Sequence, residues 1–314
     1  MVEYIVRRVG LMIPTALLVT VGVFALIHLT PGDPATIILA ESYTPEAAAA
    51  IHKDLGLDKP LPQQYVLYMG RLLHGDLGHS VRNKLPVTQA IGERLPATIE
   101  LGIAALLWSL LVAIPLGTLA ALRRGRALDV VASGLTVAGI SVPNFVLGIL
   151  LILFFGLLLR VLPVGGFAAI SDSPPDNLSR LIMPAIALGT FGAATNMRFT
   201  RSSMIEVLHQ DYIRTARAKG AGWWRVVNRH ALKNALIPVV TIIGLQIGAV
   251  LEGALVTETV FSWPGVGKLA VESIFSKDFP VVQGIVLMAA LAYMVANLLV
   301  DMAYAWLDPR ISFS

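Results

Sequence analysis

The sequence contains no cysteine and few charged residues. Without cysteine, the 314-residue chain forms no disulfide, iron–sulfur cluster or thiolate metal site, and it has no cysteine nucleophile. Charged residues make up only 14%, whereas a soluble domain of this size carries about 25%. Disordered chains and coiled coils need more charge still. Because 56% of the residues are hydrophobic and the mean hydropathy is +0.73, the composition indicates an integral membrane protein.

Motifs that bind nucleotides or support hydrolysis are also missing. No G-x-x-x-x-G-K-[ST] phosphate loop is present, because the similar segment 265–269 lacks the upstream glycine and the final Ser or Thr. Neither H-E-x-x-H nor G-x-S-x-G occurs. His74, Asp76 and His79 are close in sequence, but exposed loop histidines more often bind no metal, so we predict no metal site. These absences argue against an enzyme.

Six long apolar stretches predict an all-α integral membrane protein. About 20 apolar residues let a helix cross a hydrocarbon core of roughly 30 Å, and no alternating strands of about 10 residues are seen. Pro143 interrupts the unusually long third stretch, which predicts a kink or a tilt there. The chain would divide into 1–96, a first transmembrane helix with an external helical loop, and 97–308, the remaining spans. The predicted spans are 9–29, 97–122, 130–159, 181–199, 236–260 and 281–307.

The positions of lysine and arginine predict the orientation. If the N-terminus is cytoplasmic, 14 of the 24 Lys and Arg residues lie on the cytoplasmic side. Outside the long loop 31–96, only four lie on the other side. That loop is set aside because the charge rule loses force beyond about 60 residues. Both termini are therefore predicted to be cytoplasmic. The net charge of +4 then reflects topology, and no nucleic acid partner is expected.

The external loop is long enough to carry structure of its own. Thr-Pro-Glu at 44–46 predicts the start of a helix over 45–55, which would end at Gly56. A second helix is predicted over 62–74. Together these helices would form a small cap on the outer face.

The cytoplasmic loop 200–235 is the strongest candidate for a functional site. Gly220 and Gly222 divide it into two helical pieces, because glycine ends helices. Ala216 and Ala218 are small like Gly220 and let another backbone approach closely, which favours a docking helix for a protein with an acidic rim. Binding to anionic lipid head groups is the alternative, because basic charge alone does not distinguish the two. The flanking basic residues are Arg214, Arg217 and Lys219.

Three groups of motifs extend over essentially the whole chain. They are LTPGDP at 29–34 with GDLGHS at 75–80, DYIRTARAKG at 211–220 with RHALKNALIP at 229–238, and ETVFSWPGVG at 258–267 with DFPVVQ at 278–283. Together they resemble the peptide/nickel branch of ABC importer permeases, specifically the longer of its two permease subunits. The third group looks closest to dipeptide systems.

The chain departs from the general importer permease motif, which is Glu-Ala-Ala followed three residues later by Gly. Here residues 214–216 read Arg-Thr-Ala before Gly220, so the Glu is absent. The Leu-Pro pair that follows in the general motif occurs later in this chain, as Ile-Pro at 237–238. Both departures resemble the pattern of the peptide branch, so they narrow the resemblance to that branch of the importer permeases.

The resemblance implies a type I importer permease fold and a set of partners. A second homologous permease subunit would complete the pathway, and an extracytoplasmic binding protein would deliver the substrate. Two cytoplasmic ABC ATPases would bind ATP and Mg, so this chain itself would bind no cofactor. The complex would lie in the inner membrane of a prokaryote. The segment 211–228 would be the coupling helix in the cleft of an ATPase. Its candidate contact residues are Asp211, Tyr212, Arg214, Thr215, Ala216, Arg217, Ala218, Lys219, Gly220 and Gly222.

The resemblance also implies a substrate class, namely di- or oligopeptides. Similar subunits handle glutathione or nickel, and the binding protein usually sets specificity, so these alternatives stay open. A secondary transporter or channel is the alternative from another class. It would need buried ion-binding carboxylates and usually an inverted repeat, and the sequence has no convincing repeat.

Polar residues inside the spans are candidates for the translocation pathway. Polar groups in a membrane either pair between helices or line water. Glu252, near the middle of the fifth span, could meet the N-terminal amine of a peptide. The alternative is a protonated or partnered carboxyl packed against the sister subunit. The candidates are Ser141, Asn144, Asn196, Gln246 and Glu252.

An outer gate is predicted where the chain leaves the fifth span. The apolar segment 262–280 begins with a sharp Trp-Pro-Gly turn and is predicted to form a re-entrant or surface helix at the outer mouth. Plain lipid anchoring is the alternative. The candidate gate residues are Glu258, Phe261, Trp263, Pro264 and Gly265.

Overall fold

The protein is helical throughout the part of the chain that the structure describes. The computed structural model describes residues 2–29, 33–39 and 44–307, with no strand among them. Positions 30–32 of the first motif lie outside the described residues. The helices are α1 (Val2–Leu29), α2 (Pro34–Leu39), α3 (Pro45–Leu55), α4 (Leu61–Leu73), α5 (Val87–Leu122), α6 (Ala127–Ser141), α7 (Asn144–Leu151), α8 (Pro174–Leu208), α9 (Asp211–Ala218), α10 (Trp223–Arg225), α11 (Lys233–Val260), α12 (Val266–Phe275) and α13 (Phe279–Leu307).

Several of these helices are long and apolar enough to cross a membrane. Among the described residues, three qualify by length and composition, and a fourth span is obtained if α6 and α7 with its continuation to Leu158 count as one bent span. α1 contributes a shorter apolar stretch, Gly10–Ala25. The expectation of a helical membrane protein is confirmed, and the count of six spans stays a prediction. The three qualifying segments are Val87–Leu122, Pro174–Leu208 and Phe279–Leu299.

The predicted interruption of the third span is a sharp bend. α6 ends at Ser141, α7 begins at Asn144, and their axes differ by 105°. Pro143 between them has φ −60° and ψ 141°, an extended conformation with no N–H to continue the helix. α7 then widens into a π-helical segment over Ile152–Leu158. The prediction of a kink at Pro143 is confirmed.

The chain forms two compact units, each assembled from separate stretches of sequence. The first contains the residues up to Ala97 together with Pro264–Leu298. The second contains Thr98–Trp263 together with the part of α13 that begins at Leu299. The two predicted segments are each continuous in sequence, whereas the compact units are not.

The first unit contains the two predicted cap helices. α3 ends where Gly56 takes a φ of +65°, a conformation that glycine adopts without strain. α4 is joined to α1 by two side-chain hydrogen bonds. The hydroxyls of Thr20 and Tyr65 are 2.8 Å apart, and Nε2 of His28 lies 2.8 Å from Oε1 of Gln64. The cap is therefore fastened to the first predicted span.

The short helix α2 is absent from the sequence-based prediction. Asp33 stabilises its start by accepting hydrogen bonds from the backbone N–H of Thr36 at 3.3 Å and from its hydroxyl at 3.2 Å. Nε2 of His52 in α3 lies 3.0 Å from the same carboxylate, and this hydrogen bond holds the pKa of Asp33 below its usual value. The Asp-Pro pair that begins α2 reads equally well as a turn, which is why the helix is missed.

The second unit is built around α8, which packs against α6, α7 and α11. Two glycines also bring α5 and α8 into very close approach. A Cβ on Gly117 would lie 2.8 Å from both the carbonyl oxygen of Met197 and Cβ of Thr200. A Cβ on Gly189 would collide with the backbone of Ala105. Neither position has room for a side chain, so the two helices touch along their backbones.

An ion pair between a buried carboxylate and a partly exposed arginine joins the first turn of α6 to α8. Arg201 donates from Nε to Oδ1 of Asp129 at 2.5 Å and from Nη2 to Oδ2 at 2.9 Å. The backbone N–H of Gly125 also donates to Oδ2, at 2.9 Å. The Asp129 side chain is only 7% exposed, and its charge is balanced by these donors.

Candidate functional site

The predicted coupling loop is an ordered and packed structure. α9 is followed by Gly220 with a φ of +79°, and α10 begins after Gly222, so the predicted division into two helical pieces is confirmed. Ile213 is fully buried, which fastens one face of α9 to the rest of the second unit. Its buried cluster also contains Ala121, Met204, Val226, Val227, Ala231 and Ala235.

Polar and aromatic contacts hold both ends of this loop. Asn234 donates from Nδ2 to the hydroxyl of Tyr212 at 2.8 Å, and that hydroxyl donates to the carbonyl of His230 at 3.3 Å. Beyond the Gly220 turn, the Arg217 guanidinium lies 4.4 Å from the centre of the Trp223 ring, a cation–π contact. α9 is therefore attached to the base of α11 through specific contacts.

The predicted contact residues form an exposed surface with one exception. Ala216 is half-buried against the cluster around Ile213 and does not face outward. Arg214 and Asp211 form an ion pair of 3.4 Å with side chains 76% and 95% exposed, so water screens it. The result is a solvent-facing basic helix with a small-residue end. The exposed candidates are Asp211, Tyr212, Arg214, Thr215, Arg217, Ala218, Lys219, Gly220 and Gly222.

Three polar side chains meet inside the second unit. Asn196 of α8 is fully buried and donates from Nδ2 to Oγ of Ser109 at 2.9 Å and to Oε1 of Gln246 at 3.2 Å. Oδ1 of Asn196 and Nε2 of Gln246 are buried with no hydrogen-bond partner among the described residues. Two pathway candidates thus pair between helices in this conformation. Ser109 is missing from the predicted set because a single serine in an apolar span carries no pattern.

The remaining pathway candidates lie at or near the Pro143 bend. Ser141 is exposed, and half-buried Asn144 borders a mostly apolar cavity of about 290 Å³. Gly253 lets α11 approach this amide, because a Cβ there would lie 3.1 Å from Nδ2 of Asn144. Glu252 lies in α11, but its side chain is outside the described residues, so its contact with a peptide amine stays a prediction. The other cavity-lining residues are Ile140, Val142, Pro143, Phe145, Phe191 and Val256.

The predicted gate residues lie in the last turn of α11 and in the tightly packed turn that follows it. Glu258 and Trp263 are fully buried, and Phe261 is 1% exposed. The hydroxyl of Thr98 donates to Oε1 of Glu258 at 2.7 Å, and the backbone N–H of Trp263 donates to the backbone carbonyl of Glu258 at 2.8 Å. One hydrogen bond therefore closes the turn itself, and the other attaches it to α5. The other two candidates are Pro264, which is half-buried, and Gly265, which is buried.

A loop that sequence reasoning misses packs against this turn. The N–H of Gly166 donates to the carbonyl of Phe261 at 2.9 Å, and a Cβ on Gly165 would lie 2.5 Å from the same oxygen. The Phe167 ring meets the Trp263 ring edge-on, with centroids 4.8 Å apart. The adjacent glycines are the available signal, because a Gly-Gly pair permits close backbone approach.

Comparison with protein families assigns the chain to a class. Residues 113–313 match the family described as binding-protein-dependent transport system inner membrane component. Residues 1–102 match the corresponding N-terminal family of such membrane components. The chain therefore belongs to the family of inner-membrane components of binding-protein-dependent transport systems. The resemblance to ABC importer permeases is confirmed.

Individual relatives are similar over nearly their whole length. The chain is 44% identical to the dipeptide transport system permease protein DppB of Escherichia coli strain K12, with 99% of each chain covered. It is also 44% identical to the di/tripeptide transport system permease protein DppB of Pseudomonas aeruginosa strain UCBPP-PA14, with the same coverage. The glutathione transport system permease protein GsiC of Pectobacterium atrosepticum is 42% identical over 100% of both chains. All three relatives are named as permease proteins.

Proposed function

We propose that this chain is the transmembrane permease subunit of an ATP-driven importer. It passes di- or oligopeptides from an extracytoplasmic binding protein into the cytoplasm. The chain crosses the inner membrane six times, and both termini are cytoplasmic. A second homologous permease and two cytoplasmic ABC ATPases complete the complex, and ATP and Mg are bound by the ATPases. This chain is a conduit and not a catalytic subunit.

The observation that carries the proposal is the two-sided character of α9. A coupling helix must be fixed to its own chain on one face and exposed to a partner on the other. Ile213 supplies the fixed face, and the basic, small-residue surface supplies the exposed one. Because the sequence has no phosphate loop, the energy for transport comes from a partner that has one.

Movement of α9 reaches the predicted spans through two connections. Ile213 packs in the same buried cluster as Met204 of α8, and Tyr212 is hydrogen-bonded to Asn234 of α11. When the ATPases close, α9 moves with the subunit to which it is docked, and the attached helices tilt as rigid bodies. The translocation pathway between the permease subunits then opens outward and receives peptide from the binding protein. After ATP hydrolysis, the permease returns to its inward-facing state.

Peptides are the substrate class that the relatives favour. Two of the three relatives described above carry dipeptide or di/tripeptide transport in their names. The cavity at the bend is consistent with this class, because it combines apolar and aromatic walls with the amide of Asn144. Such a site can contact an apolar side chain and hydrogen-bond to a peptide group at the same time.

Reconstitution tests this function directly. The chain is co-expressed with its sister permease and the ATPases, purified through a tag on this chain and placed in liposomes with the binding protein outside. We expect both ATPases to co-purify and labelled dipeptide to enter only with ATP on the ATPase side. Uptake driven by an ion gradient without ATPases would instead support a secondary transporter.

Glutathione is the second candidate substrate, and one observation favours it. The glutathione permease relative is matched over its full length at 42% identity, only slightly below the dipeptide relatives. Competition distinguishes the two substrates in the same liposomes. Labelled dipeptide and labelled glutathione are tested separately. ATP-dependent uptake of the dipeptide that excess glutathione does not abolish supports dipeptide transport, whereas ATP-dependent uptake of glutathione that excess dipeptide does not abolish supports glutathione transport.

A further inference from the structure

The loop between α4 and α5 in the first unit has a fixed backbone although it contains no strand. The N–H of Ser80 donates to the carbonyl of Leu85 at 2.8 Å, and the N–H of Lys84 donates back to the carbonyl of Ser80 at 3.1 Å. The N–H of Val87 donates to the carbonyl of Gly78 at 3.0 Å. These bonds close residues 78–87 into a hairpin-like loop.

Asp278, which lies between α12 and α13, fixes this loop from the other side. Its side chain accepts hydrogen bonds from Oγ of Ser80 at 2.5 Å, from the N–H of Val81 at 3.1 Å and from the N–H of Arg82 at 3.5 Å. Asp278 is 4% exposed. Both of its carboxylate oxygens therefore have donors within the first unit.

These elements enclose a cavity of about 190 Å³ that two arginines line. Arg82 comes from the loop and Arg94 from α5. Neither side chain makes a hydrogen bond or ion pair with any residue that the structure describes. The other wall residues are Ser80, Asn83, Ala90, Leu269, Glu272, Ser273, Ser276, Asp278 and Val281.

The charge balance of the wall favours an anionic occupant. Asp278 is already held by the loop, and Glu272 lies 3.8 Å from Lys268. The two arginines are the cations left without a carboxylate among the described residues. Guanidinium groups bind carboxylates through paired, directional hydrogen bonds. The cavity is several times larger than the roughly 30 Å³ that one water occupies, so it has room for a side-chain carboxylate.

We propose that this cavity is a docking site for an acidic side chain, Asp or Glu, on the extracytoplasmic binding protein. The inference rests on the proposed function, which places the α4–α5 loop on the outer side and provides the binding protein. Arg82 is exposed and meets the partner early, whereas half-buried Arg94 fixes the carboxylate inside the cavity. Complementary charges of this kind act mainly on the rate of association and are weakened by salt.

The test measures binding of the cognate binding protein to the complete permease–ATPase complex in nanodiscs of neutral phosphatidylcholine. In the double variant Arg82→Gln/Arg94→Gln, we expect about tenfold weaker binding, caused mainly by slower association. The salt dependence of association should decrease as well. The matched control is Lys53→Gln/Lys84→Gln, which removes the same charge from the same external loop outside the cavity. Its affinity should stay within about twofold of the parent, as expected for exposed charges.

Charge reversal identifies the partner residue. Arg94→Glu should weaken binding, and reversal of one acidic residue on the binding protein should restore it. The proposal is overturned if the double variant binds as tightly as its control. It is also overturned if the variant differs from the parent only with peptide-loaded binding protein and the difference disappears with a peptide that ends in an amide, because the parent then loses the same contact and the carboxylate belongs to the peptide. Because the nanodiscs contain only neutral lipid, an anionic lipid head group cannot be the anion that the arginines bind.

A parallel measurement separates this inference from the proposed function. The double variant should keep its ATPase subunits and its basal ATP hydrolysis, because the cavity lies in the first unit and α9 in the second. A parent complex that takes up peptide while the double variant binds normally would overturn only the docking site. A parent chain that recruits no ATPase would overturn the proposed function itself.

Discussion

Two ion pairs in this chain have the same chemistry but different surroundings. Arg201 binds the Asp129 carboxylate through two hydrogen bonds, and the Asp129 side chain is 7% exposed. Arg214 and Asp211 are 76% and 95% exposed. Loss of one partner of a buried pair leaves a desolvated charge behind, whereas water hydrates both partners of an exposed pair. Only the first pair is expected to matter for stability.

The first prediction compares Asp129→Asn with Arg214→Gln. We expect Asp129→Asn to destabilise the protein by about 2 kcal/mol, because Arg201, whose side chain is 30% exposed, loses its counter-ion while most of it stays buried. The apparent melting temperature in detergent should fall by about 5 °C or more. Arg214→Gln serves as the control and should change it by about 1 °C or less. Equal shifts in the two variants would contradict the assignment.

The second prediction concerns Ile213, the buried side chain of α9. Ile213→Ala removes buried methyl and methylene groups from a packed cluster, a change that costs about 2 to 5 kcal/mol in protein cores. We expect the loss to appear as local release of α9, measured as faster amide hydrogen exchange over 211–220. Thr215→Ala on the exposed face is the control. Unchanged exchange in Ile213→Ala would show that other contacts hold the helix.

At this scale, the sequence predicts which residue types are present but not which ones meet. The basic and small residues of α9 are recognisable from composition, and most of them are exposed. The contact between Thr98 and Glu258 joins residues 160 positions apart, and no spacing rule indicates it. Ser109 likewise gains its role only because Asn196 faces it across two helices.

Among the elements, α9 and its glycine turn are the ones that we propose transmit force from the ATPases. The third prediction uses Ala218→Trp, which adds bulk at an exposed position of α9 without backbone strain. We expect coupled uptake to fall at least about tenfold while the melting temperature stays within about 2 °C, because a docked helix fits its cleft closely. Ala127→Trp adds the same bulk at an exposed position of α6 and should transport normally.

Two other substitutions in this element are also expected to uncouple transport, but each would act in more than one way. Gly220→Trp adds bulk at a φ of +79°, so it also strains the backbone. Ala216→Arg places a charge on the half-buried side of α9. Gly220→Ala isolates the strain, and we expect it to cost about 1 kcal/mol. If Ala218→Trp retained full ATP-driven uptake, the exposed face would not contact an ATPase.

The fourth prediction tests the loop that packs on the gate turn. Gly165→Ala places a Cβ about 2.5 Å from the carbonyl oxygen of Phe261, so the loop must move away from Trp263. We expect a lower melting temperature and a changed tryptophan emission spectrum. Gly134→Ala is the matched control, because no atom lies within 4 Å of its added Cβ and alanine favours the helix by about 0.5 to 1 kcal/mol. A Gly165→Ala protein as stable as this control would contradict the close contact.

Elements defined by local signals are predicted well, and those defined by tertiary contact are not. Proline and glycine act on their own backbone, so the bend at Pro143 and the division at Gly220 are predictable. The helix α3 is predictable for the same reason. The loop around Gly166 has no regular pattern, and only its contact with Phe261 gives it importance.

For the whole molecule, the absence of cysteine makes topology directly measurable. The fifth prediction introduces single cysteines at exposed positions on the two expected sides, namely Lys53 and Asp172 outside and Ala127 and Thr215 inside. In cells that express the chain without its ATPases, which would cover α9, a membrane-impermeant maleimide should label the first pair in intact spheroplasts and the second pair only after permeabilisation. The parent chain provides a blank, since it has no thiol. Labelling of Thr215→Cys in intact spheroplasts would reverse the proposed orientation.

The composition predicts a membrane protein with a helical fold, because the hydrocarbon core of the bilayer requires apolar surfaces and internally satisfied backbone hydrogen bonds. It does not predict that Pro264–Leu298 join the first unit, since that depends on packing between segments far apart in sequence. Apolar stretches specify that a helix forms, but they do not specify its neighbours. Contacts of that kind are encoded in shape complementarity and have no short sequence signature.

The glycine contacts between α5 and α8 have a consequence for the transport cycle. At Gly117 and Gly189 the two backbones touch with no side chain between them, so neither helix can rotate or slide without a collision. We therefore expect α5 and α8 to move together as one rigid pair when the helices tilt. Deformation should then be concentrated at the bend beside Pro143 and the turn at Gly220, where the chain already departs from a straight helix.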